Sequence, residues 1–165
     1  WSYPEPLPGT VDTRGYVSFY WHKMDAWFEE NEEVFVHAKD PYKRLDAFRS
    51  SRNVKVLLNG EVIAETDRPV LLLETGLPHR FYIPTTDVRR ELLRGSDHVT
   101  RCAYKGEAHY YSLEVGGESF ENLGWVYRYP SPEVAMIANH ICFPQGKVDM
   151  YVDGELEPKL KSRWD

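Results

Sequence analysis

Apolar and polar positions alternate or break at turns along most of this chain, the spacing of strands with one face buried. "VKVLLNGEVIAE" (54–65) sets apolar alternation on both sides of Asn59-Gly60, a strong short-range hairpin signal. "YYSLEVGGESF" (110–120) turns at Gly116-Gly117, and "VDMYVDGELE" (148–157) turns at Asp153-Gly154. "PVLLLETGLPHRFYIP" (69–84) reads as a buried strand, a Gly76-to-Pro78 turn and a short strand closed by Pro84. A helical pattern is confined to "TTDVRRELLRG" (85–95), which predicts one short helix near residues 86–94. Thr86 would cap it, Asp87 would face its positive end and Gly95 would end it. "SPEVAMI" (131–137) adds one helical turn, with Ser131 as cap and Pro132 in the first turn. The predicted class is mainly β.

A second pattern is an internal repeat. "WSYPEPLP" at residue 1 returns as "WVYRYPSP" at residue 125. The same offset pairs Phe19 with Phe143, Lys23 with Lys147 and Asp25 with Asp149. It keeps apolar or aromatic character at Val17/Ile141, Met24/Val148 and Trp27/Tyr151. Residues 1–30 therefore read as a second copy of the closing segment 125–155, a Pro-rich arm leading into a hairpin with "FEENEE" (28–33) at its tip. The expected organisation is an arm and hairpin over 1–45 and a complete domain over 46–165, packed as one globular unit. A duplicated arm invites strand exchange and leaves room for a homodimer.

Composition narrows the function. The 165 residues suit one domain with a real core, and 11 Tyr and 5 Trp favour strands or an aromatic cleft. The net charge of −6 argues against nonspecific nucleic-acid binding, which needs a basic face. No apolar run approaches a bilayer span, so no membrane partner is expected. Two cysteines, Cys102 and Cys142, do not make a disulfide framework, and a cytoplasmic setting is expected.

Four stretches in order resemble the domain of unknown function 427 family: "SSRNVKV…NGEVIAET", "LLLETGLPHRFYIPTTDV", "TRCAYKGEAHYYS" and "WVYRYPSPE…F…KVDMYVDG". The family's usual Cys-Pro-Tyr-Lys-Gly reads Cys-Ala-Tyr-Lys-Gly at 102–106. The resemblance implies a β-tent-like two-sheet fold around a small-molecule cleft, and no secure activity. A nucleotidyltransferase label is sometimes attached to the family, but Gly95-Ser96 is followed by no paired carboxylates of the kind that hold Mg²⁺.

Candidate chemistry centres on Glu74, a carboxylate ending an apolar run. Desolvation there would raise its pKa and suit it to acid/base work. Arg80 and Tyr82 would come opposite it across the turn, with Arg80 anchoring an anion. Tyr104 and Lys105, before the bend at Gly106, supply a second catalytic candidate pair, strengthened by the family motif. His109, Cys102 and Trp125 are expected to line the substrate cleft. His37, Asp40, Tyr42 and Arg44 lie in an Asp-Pro-Tyr turn read mainly as solvated. His98, Cys102, His140 and Cys142 lack the knuckle spacing of a zinc site, so no metal or other cofactor is expected. The resulting expectation is a domain binding a small organic molecule, with metal-free acid/base catalysis (lyase, isomerase, cyclase or hydrolase) as its enzymatic form. The contrasting readings are a non-catalytic interaction module and a nucleotidyltransferase. A raised Glu74 pKa in a small cavity would favour catalysis, and an ordinary paired carboxylate would favour a module.

Overall fold

A computed structural model describes residues 1–160. The chain divides into two compact units, residues 1–38 and the residues from 39 onward.

The first unit has little regular structure. Trp21–Lys23 makes one 3-10 turn, and β1 (Phe28–Glu29) pairs with β2 (Glu32–Glu33). The acidic run thus forms a hairpin tip, as its composition predicts. Trp21 and Trp27 stack with ring centroids 4.7 Å apart, and the Trp27 indole N–H donates to the Trp21 carbonyl at 3.0 Å. No residue of 1–38 is buried.

The second unit is mainly β. Its strands are β3 (Leu45–Arg49), β4 (Val54–Leu58), β5 (Glu61–Thr66), β6 (Val70–Glu74), β7 (Arg80–Pro84) and β8 (Leu93–Cys102). They continue as β9 (Gly106–Val115), β10 (Glu118–Tyr127), β11 (His140–Cys142), β12 (Asp149–Val152) and β13 (Glu155–Leu156). Seven of them form an antiparallel sheet in the order β3-β6-β7-β11-β10-β9-β8, and β13-β12-β4-β5 form a second. Each hairpin predicted from a dipeptide is present. Asn59-Gly60, Gly116-Gly117 and Asp153-Gly154 all have positive φ at both residues, the backbone that two-residue hairpin turns require.

The two sheets share one core. Val54, Val56 and Ile63 of the small sheet meet Phe81, Ile83, Leu113 and Ile141 of the large one, with Phe143 and Met150 between. A second cluster covers the opposite face of the large sheet: Leu72, Tyr82, Ala108, Tyr127 and Cys142 pack under Val134 and Ile137. Strands β7 and β11 are therefore buried on both faces, which is why "RFYIP" and "HIC" read as continuous runs rather than alternating ones.

The predicted helix is absent. Thr85–Asp87 and Arg90–Leu92 are separate 3-10 turns, and the strand β8 begins at Leu93, so Gly95 lies inside a strand. Thr86 caps nothing. Its hydroxyl bonds Asp87, whose carboxylate also receives the Arg68 guanidinium and the Thr66 hydroxyl at 2.7 Å. Those tertiary bonds pull the segment onto β5 and override its helical propensity. The 131–137 segment does turn, as a 3-10 stretch over Pro132–Ile137, but Ser131 makes no side-chain cap.

Gly124 shows how tightly β10 packs against β11 and the Phe143 that follows it. A Cβ there would lie 3.1 Å from the Phe143 ring and 3.2 Å from an Ile141 methyl. Gly124→Ala is expected to cost about 1–3 kcal/mol by overpacking, read as a lower urea midpoint. An unchanged midpoint would show that Phe143 yields freely.

Candidate functional site

A cavity of about 170 Å³ opens on the second cluster's side of the large sheet. Strand alternation builds its wall. Leu72 and Glu74 of β6 share one face, as do Arg80 and Tyr82 of β7, and Tyr110 and Trp125 complete it from β9 and β10. Leu77 and Pro78 of the β6–β7 turn, with Pro144 and Lys147, form the rim.

Glu74 anchors the polar side. Its side chain is only 6% exposed, and it holds two ammonium groups: Lys43 at 2.9 Å and Lys105, itself 10% exposed, in direct contact. Burial pushes the Glu74 carboxyl up, but Lys105 and Lys43 together outweigh it and hold the pKa below the usual 4.5. The expected elevation is thus reversed, because two cations rather than one face the carboxylate. The expected Glu74–Arg80 pairing across the hairpin also gives way. In register Arg80 lies opposite Leu72, while Glu74 lies opposite Leu45 of β3. Arg80 instead sits 5.6 Å over the Trp125 ring, a cation–π contact.

The loop that carries Lys105 is fastened from below. Ser131 donates its backbone N–H to the Lys105 carbonyl at 3.1 Å and its hydroxyl to the Tyr104 carbonyl at 2.6 Å. Gly106 has φ +97, and a Cβ there would come within 3.2 Å of the Tyr129 carbonyl. The bend is therefore held without the proline that Ala103 replaces. Tyr104 is buried, and its hydroxyl accepts the Asp40 backbone N–H at 2.9 Å. Lys43 lies 4.6 Å over its ring. Asp40 also caps its own turn, accepting from the Tyr42 N–H at 2.9 Å. Residues 39–45 thus belong with the second unit rather than with the arm.

Of the sequence-predicted residues, the structure brings Glu74, Lys105, Arg80, Tyr82 and Trp125 onto one cavity. Tyr104 supports the Lys43–Glu74 contact from behind and does not line the wall. Cys102 sits at the end of β8, paired in register with Gly106, and is not among the lining residues. His109 points to the other face of β9, as do Tyr111 and Leu113, and contacts Glu107 at 3.2 Å. Tyr110, one residue on, is the β9 side chain that reaches the site. Lys43, Tyr110 and Lys147 were missed. Lys43 reaches Glu74 from a distant turn, and no spacing in the sequence announces it.

Tyr82 is fully buried, and burial raises its phenol pKa well above 10, so it stays neutral and accepts the Trp125 indole N–H at 3.3 Å. It is a wall and an orienting group. Among the described residues no three His, Cys, Asp or Glu stand together as a metal-holding group. Among the described residues Glu74 is the one carboxylate lining the cavity and it is paired with two lysines, a donor set that does not fit Mg²⁺.

Because the folded pKa of Glu74 lies below its unfolded value, its contribution to stability is complete above about pH 4.5 and is lost as pH falls through the folded pKa. Asp87, held well below its usual 3.8 by Arg68, acts in the same direction. Urea midpoints measured from pH 7 to pH 3 should fall below pH 4.5. A flat profile would show that neither carboxylate is paired in solution.

The fold and site define a two-sheet β domain with a small aromatic cavity beside a buried carboxylate–diammonium cluster. The model of the family described as a domain of unknown function (DUF427) matches residues 1–30 and 46–154, and the chain belongs to that family. A comparison with curated proteins found no match. No helix among the described residues is long and apolar enough to cross a membrane.

Proposed function

We propose that this domain binds a small organic anion about the size of one ring. The carrying observation is the charge of the wall: among the described residues Arg80, Lys105 and Lys147 line the cavity with a single carboxylate, Glu74, which is paired with Lys105 and Lys43. Among the described residues this lining carries more positive than negative charge, which suits an anion, and Leu72, Tyr110 and Trp125 offer an apolar, planar bed for its body. About 170 Å³ is close to the roughly 150 Å³ that houses a benzene molecule in an apolar protein cavity, too small for a peptide or a nucleoside triphosphate. Arg80, 5.6 Å over the Trp125 ring, is the lining cation toward which a carboxylate would turn.

The paired state of Glu74 favours binding over acid/base catalysis. A proton-transfer group works best with its pKa near the working pH, and the two lysines move Glu74 away from that range. A thermal-shift series with benzoate, benzamide and benzylamine, alike in size and different in charge, tests the reading. Benzoate should stabilise the domain, benzamide weakly or not at all, and benzylamine not at all. Equal shifts for all three, or none, would refute the anion site.

A further inference from the structure

The repeat extends from sequence into backbone. At the offset that superposes Trp1 on Trp125, three hydrogen-bonded pairs recur. Ser18 donates its N–H to the Trp1 carbonyl at 2.8 Å, and the counterpart residues Cys142 and Trp125 are paired between β11 and β10. Thr10 bonds Leu7 at 3.2 Å, as Val134 bonds Ser131 at 3.0 Å. Lys23 bonds Tyr20 at 3.0 Å, as Lys147 bonds Pro144 at 2.9 Å. Both copies then form a hairpin, one residue out of register: Glu29 pairs with Glu32, whereas Val152, the counterpart of Phe28, pairs with Glu155. The Ser18–Trp1 bond is the long-range one of the three hydrogen bonds, and the other two are single turns.

The two copies differ in what covers them. Phe19 is 58% exposed where Phe143 is fully buried, Val17 63% where Ile141 is buried, and Tyr3 58% where Tyr127 is 5%. In the complete domain those counterparts are buried by β4, β7 and β9, elements that residues 46–124 supply. So much apolar surface in 38 residues marks an interaction face, and the second copy shows what fits it.

The repeat also keeps two cavity residues. Trp125 and Lys147 line the cavity, and their counterparts are Trp1 and Lys23. We propose that residues 1–34 are the closing segment of a second domain of this fold. They carry the Trp1 and Lys23 part of a second anion cavity, completed when a core equivalent to residues 46–124 docks on them. The ligand part of this proposal rests on the anion-binding reading above; the docking part does not.

The test appends a copy of residues 46–124 directly before Trp1 of the full chain, which recreates the junction between Gly124 and Trp125. Hydrogen exchange of amides in 16–34 should slow at least 100-fold relative to the unextended chain. Phe19→Asp in the extended chain should abolish that protection while leaving residues 39–160 unchanged. A second variant replaces residues 125–155 of the full chain with residues 1–31 and should still unfold cooperatively, where a scrambled insert should not. Failure of both variants overturns the docking proposal. Benzoate stoichiometry then separates the claims. Two sites per extended chain support the second cavity. One site overturns that cavity while docking stands, and none at either refutes the anion reading itself.

Discussion

Glu74→Gln is expected to destabilise the second unit by about 3–5 kcal/mol, the cost of leaving buried charge without its partner. The size follows from burial. Glu74 is 6% exposed and Lys105 10%, so Lys105 cannot regain full hydration when the carboxylate is removed. Lys43, at 21% exposed, can turn outward and recover part of its hydration, which limits the loss. In thermal unfolding this corresponds to a fall of about 10 °C or more for a domain of this size. The double variant Glu74→Leu with Lys105→Met removes both inner charges and should recover a large part of the loss. Urea unfolding of the wild type, the single and the double variant checks the series. A single variant within about 0.5 kcal/mol of wild type would mean that the cluster is open to water.

Arg80→Gln should have the largest effect on ligand affinity. Its guanidinium lines the cavity over Trp125, and in the proposed complex its removal takes away both a positive charge and a planar pair of donors. Benzoate affinity is expected to fall about 100-fold, which is about 2.7 kcal/mol, with stability changed far less than by Glu74→Gln. Lys147→Met, on the rim, should weaken binding only severalfold. Calorimetric titration of the two variants gives the comparison. Equal losses from both would assign the selectivity to general positive potential rather than to Arg80.

Much of this was legible in the chain because local rules decided it. Asn59-Gly60, Gly116-Gly117 and Asp153-Gly154 specify their turns through backbone that few other pairs adopt, and the strands follow from them. Glu74, Arg80, Tyr82, Lys105 and Trp125 line one cavity, and of these Lys105 follows from the rule that a charge ending an apolar run must find a partner. The helix near 86–94 failed where tertiary contacts won: Asp87 spends its carboxylate on Arg68 and Thr66 rather than on helix N–H groups. His109 failed by parity. Alternation correctly groups it with Tyr111, but which face of β9 meets the cavity depends on the neighbouring strands, and the cavity takes Tyr110. Lys43 was invisible because it reaches Glu74 from a turn far away in sequence, with no periodicity to announce it.

The most direct test of the anion cavity is anomalous diffraction from crystals soaked in 4-bromobenzoate. The account predicts one ordered bromine among Leu72, Tyr110 and Trp125, with the carboxylate turned toward Arg80. Bromine seated only elsewhere on the domain, or a carboxylate turned away from Arg80, would contradict it.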